Sequence, residues 1–136
     1  MTGVVSGAPR LLLRIEGASL LVCALAGYAW AGQSWWLLAA LILLPDLSMI
    51  GYLAGPRIGA VSYNAAHTTT VPLLLLTASW AFGSHAAAGL TLIWLAHIGL
   101  DRAVGYGLKY GTGFNDTHLG PLGRAGGRSR LRFRRA

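Results

Sequence analysis

Four apolar runs of membrane-spanning length, at 11–31, 35–54, 58–80 and 85–104, constrain this chain more than any motif in it. A helix of about 20 apolar residues crosses roughly 30 Å of hydrocarbon, and a segment in lipid must satisfy its own backbone. Each run therefore predicts a helix. The chain has 136 residues, of which 54% are hydrophobic and 11% charged, with a mean hydropathy of +0.55, too apolar for a soluble domain of this size. The expected fold is all-α, an integral membrane four-helix bundle.

Punctuation between the runs supports the division. Gly32-Gln33-Ser34 leads into Trp35 and Trp36, residues suited to a membrane–water interface. Gly55-Pro56-Arg57 and Phe82-Gly83-Ser84 break the next two runs. Pro72 lies inside the third run, where its missing N–H predicts a kink near Thr68; the hydroxyls of Thr68, Thr69 and Thr70 are placed to satisfy freed carbonyls. Residues 1–9 read as a disordered lead-in, 10–120 as the four-helix domain ending in a Gly/Tyr-rich segment at 105–120, and 121–136 as a disordered basic tail. Ala29-Trp30-Ala31 has the form of a signal-peptidase site. Glu16 would interrupt the apolar core of such a leader, however, and the charge distribution calls for a retained first helix.

Charge gives orientation. The first and third loops lack Lys and Arg, whereas Arg10, Arg14, Arg57, Arg102, Lys109 and the arginines after Leu122 all fall on the opposite side. The positive-inside rule then places both termini in the cytoplasm, with the bundle in a bacterial inner membrane. The arginine tail suits anionic lipid head groups at about 1 kcal/mol per residue near the surface. No aromatic platform or folded basic face accompanies it, which argues against nucleic acid as a partner. Cys23, in an apolar run, reads as a small buried hydrophobe. Gly17, Gly27, Gly51, Gly55 and Gly99 would let helices approach closely.

Ionisable residues inside apolar runs are costly and are functional-site candidates by default. Glu16, Asp46, Asn64, His67, His97 and Asp101 all lie roughly 4–14 Å from the cytoplasmic ends of their helices at 1.5 Å per residue, in one slab of the membrane. His97 and Asp101 are spaced i, i+4 and share a helix face, as do Asn64 and His67 at i, i+3. Two imidazoles with two or three carboxylates suit Zn, Mn or Fe. The same residues could also serve as a proton or ion relay, or as polar packing that fixes helix register. In segment 105–120, glycines interleave with Tyr106, Tyr110 and Phe114. Such a stretch can fold back over the cytoplasmic mouth as a lid, with Tyr63, Arg102, Lys109, Tyr110 and His118 as the residues near a substrate head group or in the lid.

These residues carry two resemblances. Pro45-Asp46, then His67-Thr68, then His97-x-x-x-Asp101 resembles the membrane-bound metal-dependent hydrolases of bacteria over residues 43–101. That likeness implies a metal held by Asp46, His67, His97 and Asp101. It further implies Glu16 as fifth ligand or general base, and Asn64 orienting water or substrate. Where that family has a further His four residues before His67, Tyr63 stands here, so one ligand is left to Glu16 or His118. Over nearly the whole length, Tyr63-Asn64-Ala65-Ala66-His67-Thr68, Asp101-Arg102, Gly105-Tyr106-Gly107-Leu108-Lys109-Tyr110 and Phe114-Asn115-Asp116-Thr117-His118-Leu119-Gly120 resemble a family of small bacterial membrane proteins of unknown function. The functional expectation is a metal-dependent hydrolase acting on a membrane-embedded phosphoester or lipid. A non-enzymatic accessory or binding bundle, or an ion relay, is the alternative.

Overall fold

A computed structural model describes residues 3–121; the basic tail from residue 122 onward lies outside the described residues. Among the described residues every named element is a helix. Helix α1 spans Gly7–Trp30, α2 Trp35–Leu41, a 3₁₀ helix Leu44–Ala54, α3 Pro56–His67, α4 Thr70–Ala81 and α5 His85–Val104. Among the described residues, three helical stretches are long and apolar enough to cross a membrane: Gly7–Trp30, Trp35–Ala54 and His85–Val104. The remaining run is broken in two and forms α3 and α4.

Both interruptions follow from proline. Pro45 has no N–H to continue α2, and the chain tightens into the 3₁₀ helix, where Asp46 N donates to Leu43 O at 3.1 Å. Three residues per turn then sort its side chains into strict registers. Leu44, Leu47, Ile50 and Leu53 form an outward stripe, whereas Pro45, Asp46, Ser48, Met49, Gly51 and Tyr52 turn inward and are half-buried. Pro72 cannot donate to Thr68 O, and its ring crowds that carbonyl, so the kink expected near Thr68 becomes a full break. Thr68 is extended at φ −83°, ψ 141°, and α4 restarts at Thr70.

Helix α5 is the central post, with α1 and α4 packed against it and α3 packed against the 3₁₀ helix. Its close contact with α1 rests on two glycines. A Cβ on Gly99 would lie 2.5 Å from Leu21 N, and one on Gly17 would lie 2.8 Å from Ala103 N. Gly51 does the same against α3, where its would-be Cβ falls 2.9 Å from Ser62 Cβ. Gly55 does not belong with these packing glycines. Nothing lies within 4 Å of its would-be Cβ, and its φ of +113° serves the reversal between the 3₁₀ helix and α3. The apolar core joins Ala24 and Tyr28 of α1, Leu76 of α4, and Ala88, Leu92, Ile93, Leu95 and Ala96 of α5. Outward-facing Leu, Ile and Val elsewhere give the bundle an apolar exterior, and Cys23 is exposed rather than buried. Trp30, Trp35, Trp36, Trp80 and Phe82 gather at the helix ends opposite the arginines, as an interfacial aromatic belt would.

Helix α1 begins at Gly7, inside the stretch read as a lead-in, and the residues before it are bonded to the rest of the fold. Val5 N donates to His118 O at 2.8 Å, Tyr110 Oη donates to Gly3 O at 2.6 Å, and Gly7–Pro9 already belong to α1. These bonds tie the start of the chain to segment 105–120.

Candidate metal centre

Three elements bring four ligand groups together. Asp46 comes from the first turn of the 3₁₀ helix, His67 from the last residue of α3, and His97 and Asp101 from one face of α5. One ligand atom from each lies within 4.8 Å of the others. Asp46 Oδ1 is 3.4 Å from His67 Nε2 and 3.5 Å from His97 Nε2, and Asp101 Oδ2 is 3.6 Å and 3.8 Å from the same atoms. The two Nε2 atoms are 3.0 Å apart. A tetrahedral ion at about 2.0–2.1 Å from each ligand holds neighbouring ligand atoms about 3.3–3.4 Å apart, so this group has the dimensions of a first coordination shell. The imidazoles are buried, while the Asp46 side chain is 32% exposed and marks the open side.

The tautomer at His67 fits the same reading. His67 Nδ1 lies 2.8 Å from Tyr63 O; a carbonyl only accepts, so Nδ1 carries the proton and the Nε2 lone pair faces the group. Metal-ligating histidines are oriented in this way by their outer nitrogen. His97 Nδ1 is buried and has no hydrogen-bond partner among the described residues.

The break at Thr68 leaves the last carbonyls of α3 free, and neighbouring side chains take them up. Trp94 Nε1 donates to Ala66 O at 2.6 Å, and Arg102 donates to His67 O at 3.2 Å. Helix α5 therefore grips the end of α3 from both sides of His97, which holds His67 at its depth. Tyr63 stacks on the His67 ring, centroids 3.7 Å apart and planes 11° apart, and donates its hydroxyl to Asp101 Oδ2 at 3.0 Å. Tyr63 thus orients a candidate ligand rather than supplying one.

Segment 105–120 closes over this end of the bundle. Asn64 clamps it, Oδ1 accepting from Lys109 N at 2.7 Å and Nδ2 donating to Lys109 O at 2.8 Å. Both ends of the Asn64 amide are thereby used on backbone, where the sequence reading has Asn64 orienting water or substrate. Glu16, read as a fifth ligand or general base, is exposed on α1 and is not brought into the four-residue group. His118 is not a replacement ligand: its Nδ1 accepts from Leu108 N at 2.9 Å, and its Nε2 meets Arg102 at 3.2 Å. Burial and the adjacent Arg102 push the His118 pKa below the usual histidine range. Tyr110 points away from the group to Gly3.

Lys109 is the surprise of the segment. Only 4% exposed, it donates to Phe114 O at 2.8 Å, and its ammonium sits 3.8 Å from the Phe114 ring centre and 4.9 Å from that of Tyr63. Burial lowers its pKa from the ordinary lysine value. Its place in a Gly/Tyr-rich stretch gives no hint in the sequence of a buried cation; the nearest clue is Asn64, a polar residue in an apolar run with a backbone to hold.

A family described as a domain of unknown function, DUF4260, matches residues 10–122. The chain belongs to this family. The DUF4260 match takes in all of the helices but the first three residues of α1 and includes all four residues of the group, and it agrees with the resemblance to an uncharacterised family; its description assigns no activity. No curated protein and no solved structure matches the chain.

Proposed function

We propose that this DUF4260 member is a metal-dependent hydrolase of a membrane-embedded phosphoester or lipid, with its centre open toward the cytoplasmic leaflet. The observation that carries the reading is the convergence of Asp46, His67, His97 and Asp101 from three elements at coordination-shell spacing. Zn, Mn or Fe suits two imidazoles and two carboxylates. Such an ion, when bound, polarises a phosphoryl or acyl oxygen and lowers the pKa of water. The chain's own part is positional: Tyr63 fixes the Asp101 carboxylate and the His67 tautomer, and Arg102 fixes the end of α3. In the proposed arrangement both termini are cytoplasmic in a bacterial inner membrane, and the arginine tail rests on anionic head groups.

The deciding experiment is metal content by mass spectrometry on mildly solubilised protein purified without a histidine tag. Near-stoichiometric transition metal in the wild type, lost in Asp46→Ala and His67→Ala, is the expected result. A well-folded wild type that takes up no metal after incubation with Zn and Mn removes the hydrolase reading. The 3.0 Å contact between the two Nε2 atoms would then count as a hydrogen bond and favour a proton relay, with pH-dependent flux in proteoliposomes that Asp46→Asn abolishes.

A further inference from the structure

A cleft of about 480 Å³ lies between the α2–3₁₀ junction, the end of α3, α4 and α5. Its size is within the roughly 300–1,000 Å³ typical of small-molecule sites. Leu41, Leu44, Leu75 and Leu90 form much of its wall. The polar side chains that line it are already satisfied: Ser79 Oγ donates to Leu75 O at 2.7 Å, Thr91 Oγ1 to Ala87 O at 2.7 Å, and Trp94 Nε1 to Ala66 O at 2.6 Å. With these donors engaged, the cleft offers an occupant mainly hydrocarbon contact and no free side-chain donor among its lining residues.

One end of the cleft abuts the metal centre. Pro45 and Ala66 line it and are the chain neighbours of Asp46 and His67, and Trp94 is one helical turn before His97. From Trp94 the cleft follows α5 back to Ala87, roughly 10 Å at 1.5 Å per residue, away from the arginines. The charge near the centre also favours an anion: Arg102 follows Asp101 in the chain and bonds only neutral groups, His67 O and His118, and Lys109, which donates to Phe114 O, lies 4.9 Å from the ring of Tyr63. Asp46 and Asp101 are matched by Arg102 and Lys109, so a divalent ion added to the group leaves a net positive site. Among the described residues, neither cation forms an ion pair with a carboxylate.

We infer that the cleft seats the single hydrocarbon chain of the substrate, so that the centre takes a long-chain alkyl or prenyl phosphoester whose anionic head lies between the Asp/His group and Arg102 and Lys109. This rests on the proposed hydrolase reading for the role of the centre; the chain seat itself is independent of any metal. The position explains why an apolar cleft ends at the only carboxylate–imidazole group among the described residues.

The test uses the full chain in nanodiscs and dodecyl phosphate bearing a terminal diazirine. After irradiation, label is expected on peptides of α4 and α5 that contain Leu75, Ser79, Ala87 and Leu90, at least tenfold above that on the outward stripe Leu47, Ile50 and Leu53. Leu90→Trp, which fills the cleft, should lower this label about tenfold while leaving metal content unchanged. Ala87→Leu provides a milder obstruction should the tryptophan variant fail to fold. Equal labelling of cleft and outward stripe, or label undiminished in a folded cleft-filling variant, means ordinary lipid contact and overturns the inference. Strong cleft labelling in a protein that binds no metal supports the chain seat and removes the hydrolytic role alone.

Discussion

Replacing Asn64 by Leu should release segment 105–120 while leaving the proposed metal site intact. The side chain makes two hydrogen bonds to one residue, accepting from Lys109 N and donating to Lys109 O at 2.7 and 2.8 Å. Leucine keeps the approximate size and offers neither partner, so two buried backbone groups are left unsatisfied at about 1–3 kcal/mol each. Because the segment can relieve the penalty by opening, the effect is a loss of docking free energy of about 2–6 kcal/mol. At 1.36 kcal/mol per factor of ten, the opening equilibrium rises roughly 30- to 25,000-fold. Hydrogen exchange followed by mass spectrometry on peptides covering 105–120 measures this directly, with α5 peptides as an internal reference. Asn64→Asp should fare no better, since its second oxygen faces the Lys109 carbonyl. Exchange within twofold of wild type would refute the clamp. Loss of bound metal from a folded Asn64→Leu protein would refute the separation of Asn64 from the ligand set.

Three further outcomes follow from the same geometry. His97→Gln should retain the fold and lose metal; a fall in thermal stability in detergent with no metal to lose would instead assign His97 to packing. Gly99→Ala should lower the thermal midpoint, because its Cβ meets the backbone of α1 at 2.5 and 2.8 Å, an overpacking cost of about 1–3 kcal/mol, whereas Gly27→Ala meets Leu92 methyls at 3.5 Å and should be close to neutral. Docking of segment 105–120 should weaken on acidification: with the docked His118 pKa depressed, released His118 takes up a proton below about pH 6.5 that the docked ring resists, so stability is full above that value and declines below it. Exchange of the segment between pH 7.5 and 5, corrected for intrinsic rates, should show this slope, and His118→Gln should flatten it.

How far the sequence could be read varies by element. The apolar runs and their glycine and proline breaks are local signals, and they locate helices because lipid-like composition and backbone self-sufficiency leave little else. The site of the disturbance before Pro72 was visible for the same reason, since a missing N–H acts on its own helix, but it was read as a kink in one helix and not as the break that separates α3 from α4. The 3₁₀ helix was also written locally, in Leu44, Leu47, Ile50 and Leu53, but a period of three over eleven residues is rare enough to be read as an ordinary helix. Asp46, His67, His97 and Asp101 were legible as a set because apolar runs expose any ionisable residue within them, and because helix rise converts position into depth.

Depth, however, is one coordinate of three. Glu16 shares the slab yet stays exposed on α1, and Asn64 shares a run with His67 yet turns to the Lys109 backbone; rotation about each helix axis decides between them, and that is fixed by packing partners distant in sequence. Ordering of residues 3–9 and burial of Lys109 depend in turn on segment 105–120 folding back over the helix ends. The sequence alone determined an all-helical, membrane-compatible chain and the residues able to hold an ion, because those properties belong to single residues and single helices. Only the tertiary structure decided which of them meet, because a ligand set and the cleft beside it exist only between elements.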